Sequence, residues 1–172
     1  MTNTKITQVQ NQLYSMIDDE YEKALFAQSL WMSEVAKREV QRSQMKMKGS
    51  EKTWYELRVN FSRYTFSVRW YRISFQQHGD KAVRLSIGIA LPTTKKGYSR
   101  KNFPIASEWE QDLIMQCEEI LQPIRNNVKT LGLMHKNLTQ LAKDNSVDFS
   151  FTPIKDRVQM QSDSIQKFKS RL

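Results

Sequence analysis

No Gly or Pro occurs before Gly49, and that long uninterrupted start constrains the fold more than any other feature of the chain. Apolar or small residues fall at Ile6, Val9, Leu13, Met16, Ile17, Ala24, Leu25, Trp31, Val35 and Val40. The steps are mostly three and four, with Glu20 and Gln28 as weaker positions, so the pattern predicts one helix from residue 4 to about 46. At 1.5 Å per residue such a helix is roughly 60 Å long. It cannot spend its whole length on one small sheet, so it needs another helix or a second copy of the chain.

The segment "KMKGSEK" (46–52) breaks the pattern, and strand signals come next. Tyr55, Leu57, Val59 and Phe61 alternate with Glu56, Arg58 and Asn60; Tyr64, Phe66, Val68 and Trp70 alternate with Thr65, Ser67 and Arg69. The phase then slips, because Tyr71, Ile73 and Phe75 are apolar too. A bulge near Trp70–Tyr71 is expected to absorb the slip and turn one ring outward. After the turn "QQHGD" (76–80), "AVRLSIGIAL" (82–91) reads as a third strand, expected to be central or well buried because it is rich in β-branched residues.

A basic loop, "PTTKKGYSRKNFP" (92–104), leads to Ser107 and, three residues on, Glu110. That pair predicts a capping box. Trp109, Leu113, Cys117, Ile120, Leu121, Ile124, Val128 and Leu131 then mark one helix face, which Pro123 should kink or split. Glu108, Asp112, Glu118 and Glu119 read as its solvated side. The segment "DFSFTP" (148–153) suggests a short extended stretch, and the residues after it read as a weak helix or partly disordered tail. The expected architecture is α+β: an antiparallel sheet of three or more strands flanked by a long N-terminal helix and a kinked C-terminal helical region. The expected divisions are the helix at 1–48, a basic sheet-plus-helix core at 53–145 and a tail at 146–172.

Charge is segregated along this plan. The 172 residues carry a net +9, but residues 36–103 alone hold sixteen Lys/Arg against four Asp/Glu, whereas residues 104–122 hold five acids and no base. Such a block is an electrostatic footprint for a polyanion rather than a generally solubilised surface. It contains "TWYELRVNFSRYTFSVRWYRISF" (53–75), with eight aromatic rings and four arginines. Most rings belong in a core, but guanidinium groups are costly to bury unpaired. Arg58 and Arg69 should therefore reach solvent beside two or three outward rings. Arginine forks bind phosphates, and exposed rings stack on unpaired bases. The candidate nucleic-acid contacts are Arg58, Arg63, Tyr64, Arg69, Trp70, Tyr71, Arg72 and Arg84, with Lys95, Lys96, Arg100 and Lys101 as a phosphate clamp in the loop. The acidic start of the following helix argues against anion binding at its end.

Little in the chain suggests catalysis. His78 and His135 lie far apart and Cys117 is the single cysteine, so no zinc set, histidine cluster or disulfide framework is expected. Phosphate-loop, dinucleotide and nucleophile-elbow motifs are missing. The chain is expected to be non-enzymatic and to use no cofactor or metal. Without a long apolar span or a secretory pattern at its start, it is expected to be cytoplasmic and free of membrane.

The run "GYSRKNFPIASEWEQDLIMQCEEILQPIRNNV", with Trp109-Glu110, Glu118-Glu119 and "PIR" (123–125), resembles the MobI-type conjugative mobilisation proteins over about residues 54–141. The resemblance implies an accessory factor that binds DNA, single- or double-stranded, at a transfer origin and helps a separate relaxase. A shorter likeness links "LPTTKKGYS" (91–99) and "EWEQDLIMQCEEILQPI" (108–124) to the single-strand-binding domain of the transcriptional coactivator family. There a basic ribbon precedes a Trp-bearing dimer helix; Lys95, Lys96, Gly97 and Trp109 match it, while the inserted "RKNFPIA" and Pro123 depart from it. The long helix faces suggest a homodimer. The competing expectation is a protein–protein adaptor that uses the long helices, with the basic sheet meeting an acidic protein.

Overall fold

The computed structural model describes residues 2–46, 52–93 and 95–172. The Gly49–Ser50 break expected after the first helix lies outside the described residues, as does Thr94 of the basic loop. Helix α1 spans Thr2–Gln44; strands β1 (Tyr55–Ser62), β2 (Thr65–His78) and β3 (Lys81–Gly88) come after it, then α2 (Glu108–Asp144) and a short α3 (Ile165–Lys169). The α+β expectation holds.

Helix α1 finds its second helix within the chain. Ala24 and Ala27 are fully buried, and the Cys117 Sγ of α2 lies 4.0 Å from the Ala27 carbonyl. Small side chains there let the two helices approach closely, with Ile17, Tyr21, Trp31 and Val35 filling the flanks. Of the two partners expected for its length, another helix or a second copy, the first is met within the chain. Val9 and Met16, read from sequence as part of the stripe, are exposed instead. Pro123 does not split α2, which runs unbroken past it.

The sheet has the order β1-β2-β3, antiparallel throughout. Two-residue turns join the strands: Arg63–Tyr64, with Arg63 at φ 49°, and Gly79–Asp80, with Gly79 at φ 59°. Pairing runs in unbroken register from Ser62↔Thr65 to Tyr55↔Arg72, and from Tyr71↔Gly88 to His78↔Lys81. No bulge interrupts it. Simple alternation sends Trp70 inward and Tyr71, Ile73 and Phe75 outward. The third strand is not central: β3 is an edge, mostly exposed, and the 14-residue β2 lies in the middle. β-Branched content marks residues that suit a pleated surface, not their place in the order.

One face of the sheet lies on the helices. Tyr55, Leu57, Phe66, Val68 and Trp70 are buried there, and Trp70 meets Trp31 and Phe103 edge-on. Two carboxylates bolt α2 to the strands. Glu118 accepts from Trp70 Nε1 at 2.7 Å and from both terminal nitrogens of Arg125, whose Nε reaches the Val68 carbonyl at 3.0 Å. Glu118 is therefore a buried anchor, not part of a solvated side. Glu110, also fully buried, leaves Ser107 uncapped and accepts from the N–H groups of Trp54 (2.8 Å) and Tyr55 (2.9 Å). The expected capping box does not form, because the start of β1 offers better donors than the helix's own end. Burial pushes the Glu110 carboxyl up to about 7 against the pull of those two N–H groups.

The last segment is held along α1. Arg157 grips Asp18 (Nη2–Oδ1 2.7 Å), donates to the Tyr64 and Thr152 carbonyls, and lies 4.1 Å from the Tyr14 ring. Ile154 is fully buried and its N–H donates to the Arg63 carbonyl. Gln161 reaches Ser29, and Lys169 pairs with Glu39.

Candidate nucleic-acid interface

Alternation places Glu56, Arg58 and Asn60 of β1, Ser67, Arg69, Tyr71, Ile73 and Phe75 of β2, and Arg84, Ser86 and Gly88 of β3 on the sheet face away from the helices. Every polar contact of Glu56, Arg58, Asn60, Arg84 and Ser86 among the described residues is made within this face. Its centre is Glu56. Arg58 spans both its oxygens, Nε on Oε1 (3.0 Å) and Nη2 on Oε2 (3.1 Å), and Arg84 Nη2 shares Oε2 at 2.7 Å. Burial alone would raise this carboxyl, but the hydrogen bonds and charges of Arg58 and Arg84 hold it below the usual range. The hydrogen bond to Glu56 further favours the charged form of Arg58, whose guanidinium sits 4.6 Å from the Tyr71 ring.

Arg69 differs from its neighbours, having no carboxylate partner among the described residues. It passes over Gly88, where a Cβ would lie 3.4 Å from both Arg69 Cδ and Tyr71 Cε1. The missing side chain lets the guanidinium stem and the ring cross β3 side by side. Three arginines against one carboxylate leave the face with a net positive charge, and two of the three are pre-positioned by that carboxylate. Phe75, 65% exposed, extends the face along the β2–β3 hairpin. From Gln76 to Arg84 every residue of that hairpin is exposed.

The sequence candidates therefore divide. Arg58, Arg69, Tyr71 and Arg84 come together on this face. Trp70 does not join them, which corrects the expectation: it is 0% exposed and its N–H is held by Glu118, so it packs in the core. Arg72 is exposed but lies on the helix side of the sheet, opposite Tyr55. Arg63 stands exposed at the β1–β2 turn, while the Tyr64 ring is stacked on His135 with centroids 3.7 Å apart. Arg100 is paired with Asp112; Lys95, Lys96 and Lys101 are exposed. The loop itself is clasped to α2 by Gln122, which donates to the Lys95 carbonyl at 2.7 Å. No strand succeeds the Lys95–Gly97 turn among the described residues, so the basic ribbon of the coactivator family is not reproduced. Sequence reasoning overlooked the role of Glu56; its place two residues before Arg58 on the same strand face was the available signal.

Among the described residues no group of His, Cys, Asp or Glu is arranged to hold a metal ion, and no helix is long and apolar enough to cross a membrane. Neither a curated protein nor a solved structure matches the chain. A protein family does: its match covers residues 21–139, taking in half of α1, the whole sheet and most of α2, and so reaches further toward the start than the resemblance read from sequence. The chain accordingly belongs to the MobI family of mobilisation proteins.

Proposed function

We propose that this protein is a non-catalytic, DNA-binding accessory factor of conjugative mobilisation, acting in the cytoplasm at a transfer origin and assisting a relaxase. The observation that carries the reading is the helix-free sheet face, where Arg58, Arg69 and Arg84 surround Tyr71 with Glu56 as the one carboxylate among the described residues. Phosphates meet Arg69 first, because its guanidinium has no anion to leave. Arg58 and Arg84 can turn from Glu56 to phosphate, exchanging one charge-assisted hydrogen bond for another. Tyr71 and Phe75 offer ring surface for unpaired bases. Arg63, Lys96 and Lys101 add exposed charge outside this face.

The test is a mobility-shift series with single-stranded, duplex and hairpin DNA at several salt concentrations. Arg69→Gln and Arg84→Gln should each weaken binding and lower the salt slope by about 0.7–0.9 per phosphate released. Unchanged affinity and slope in the double variant would remove the face from the DNA reading.

A further inference from the structure

Strand β2 is longer than either neighbour, and part of it is unpaired on one side. Ile73 N–H bonds to the Trp54 carbonyl on the β1 side, and Ile89 N–H bonds to the Trp70 carbonyl on the β3 side. Alternation then points the N–H and C=O groups of Phe66 and Val68 to the β3 side as well. β3, however, ends at Gly88, opposite Tyr71. Arg125 Nε takes the Val68 carbonyl. Among the described residues the amides of Phe66 and Val68 and the Phe66 carbonyl have no partner. Such groups are rarely left unmet inside a fold, and at a sheet edge they are a template for another strand.

This edge borders a groove of about 600 Å³ between β2 and α2. Its apolar walls include Leu91 (40% exposed), Val128 and Leu133 (56% exposed). Lys95, Arg125 and Lys129 also line it, and no lining residue is acidic. Arg125 is answered by Glu118, but Lys95 and Lys129 are exposed and form no ion pair among the described residues.

We propose that this groove binds an extended acidic–apolar segment of a partner protein, which adds to the free edge of β2 as a strand in line with β3. Its backbone meets the Phe66 and Val68 amides, alternate side chains cover Leu133 and Val128, and carboxylates reach Lys95 and Lys129. Strand addition supplies affinity through main-chain bonds and selectivity through alternate side chains. A nucleic acid fits less well: Phe66, the aromatic residue among the described lining, is buried and offers no open ring for a base, while the groove's donors are spaced for a peptide backbone. The site is separate from the arginine face and does not depend on its DNA binding.

The experiment uses the full chain and a pool of labelled octapeptides that alternate Glu with Val, Ile, Leu or Phe. Binding is followed by fluorescence anisotropy, and amide exchange is read residue by residue. Saturable binding should slow exchange at Phe66 and Val68. Lys95→Glu/Lys129→Glu should weaken it about tenfold or more, with binding restored by peptides carrying Lys in place of Glu. Backbone N-methylation of the bound octapeptide should abolish binding. The proposal is overturned if no member of the pool binds, if exchange at both amides is unchanged, or if the N-methylated peptide binds equally. Protection of those amides by a single-stranded oligonucleotide instead, or by self-association of the chain alone, would also overturn it.

Discussion

At the scale of single residues, parity decides much of the outcome. Trp70 and Tyr71 are adjacent, yet one is sealed against Glu118 and the other lies beside Arg58 on open sheet. The sequence pattern showed a change of phase between them but not its cause; the strand simply outruns the helices that cover its first half. Glu56 is the residue most open to test on the arginine face. Replacing Glu56→Gln removes the charge that Arg58 and Arg84 share. DNA affinity should rise several-fold and the salt slope should steepen, by about 0.7–0.9 for each additional phosphate engaged, as measured by the same mobility shifts.

Glu110 makes a different prediction. Its folded pKa, about 7, lies above the usual 4.5. Below pH ~4.5 the carboxyl is protonated in both states and contributes nothing. Between pH ~4.5 and ~7 the folded state holds a proton that the unfolded state has lost, so stability falls as pH rises. Above ~7 the penalty is constant, on the order of 2–4 kcal/mol. Urea unfolding at pH 4.5 and pH 8 should show this loss, and Glu110→Gln should flatten it. The capping signature was legible in the sequence, but its competitor was not, because the Trp54 and Tyr55 amides are brought to Glu110 by tertiary packing from 56 and 55 residues away.

At the scale of elements, α1 and α2 were legible because their periodic stripes are long. Strand order was not, because composition reports the fit of a side chain to a pleat and says nothing of neighbours. The basic loop shows a local requirement that its motif alone left unexplained. Gly97 has φ 76°, and a Cβ there would meet Gln122 Oε1 at 2.0 Å. Gly97→Ala should cost about 1–2 kcal/mol from the left-handed backbone, and more if Gln122 loses the Lys95 carbonyl. Thermal or denaturant melting measures the cost. Exchange at the amides around Lys95 shows whether the clasp opens.

For the whole molecule, the charge partition read from sequence proved informative, since Arg58, Arg69 and Arg84 of the basic block define a helix-free face and Lys95 borders a groove. The tail was the least legible part. Its few apolar residues read as weak structure, yet Ile154 and Arg157 occupy a joint between α1, the β1–β2 turn and the residues before α3. Arg157→Ala would strand Asp18 beside Tyr14 with no guanidinium. Because this pair is largely sheltered, the expected loss is about 2–4 kcal/mol in chemical denaturation, with the arginine face left able to bind DNA at temperatures where the variant remains folded.

That joint has a consequence for synthesis. A ribosome makes Asp18 long before Arg157, a separation of 139 residues along the chain. While the nascent polypeptide waits, its first helix and its emerging strands must be kept from other partners. Completion of this joint therefore comes late, once Arg157 has emerged, and a chaperone that shields the early helix should raise the yield of native protein.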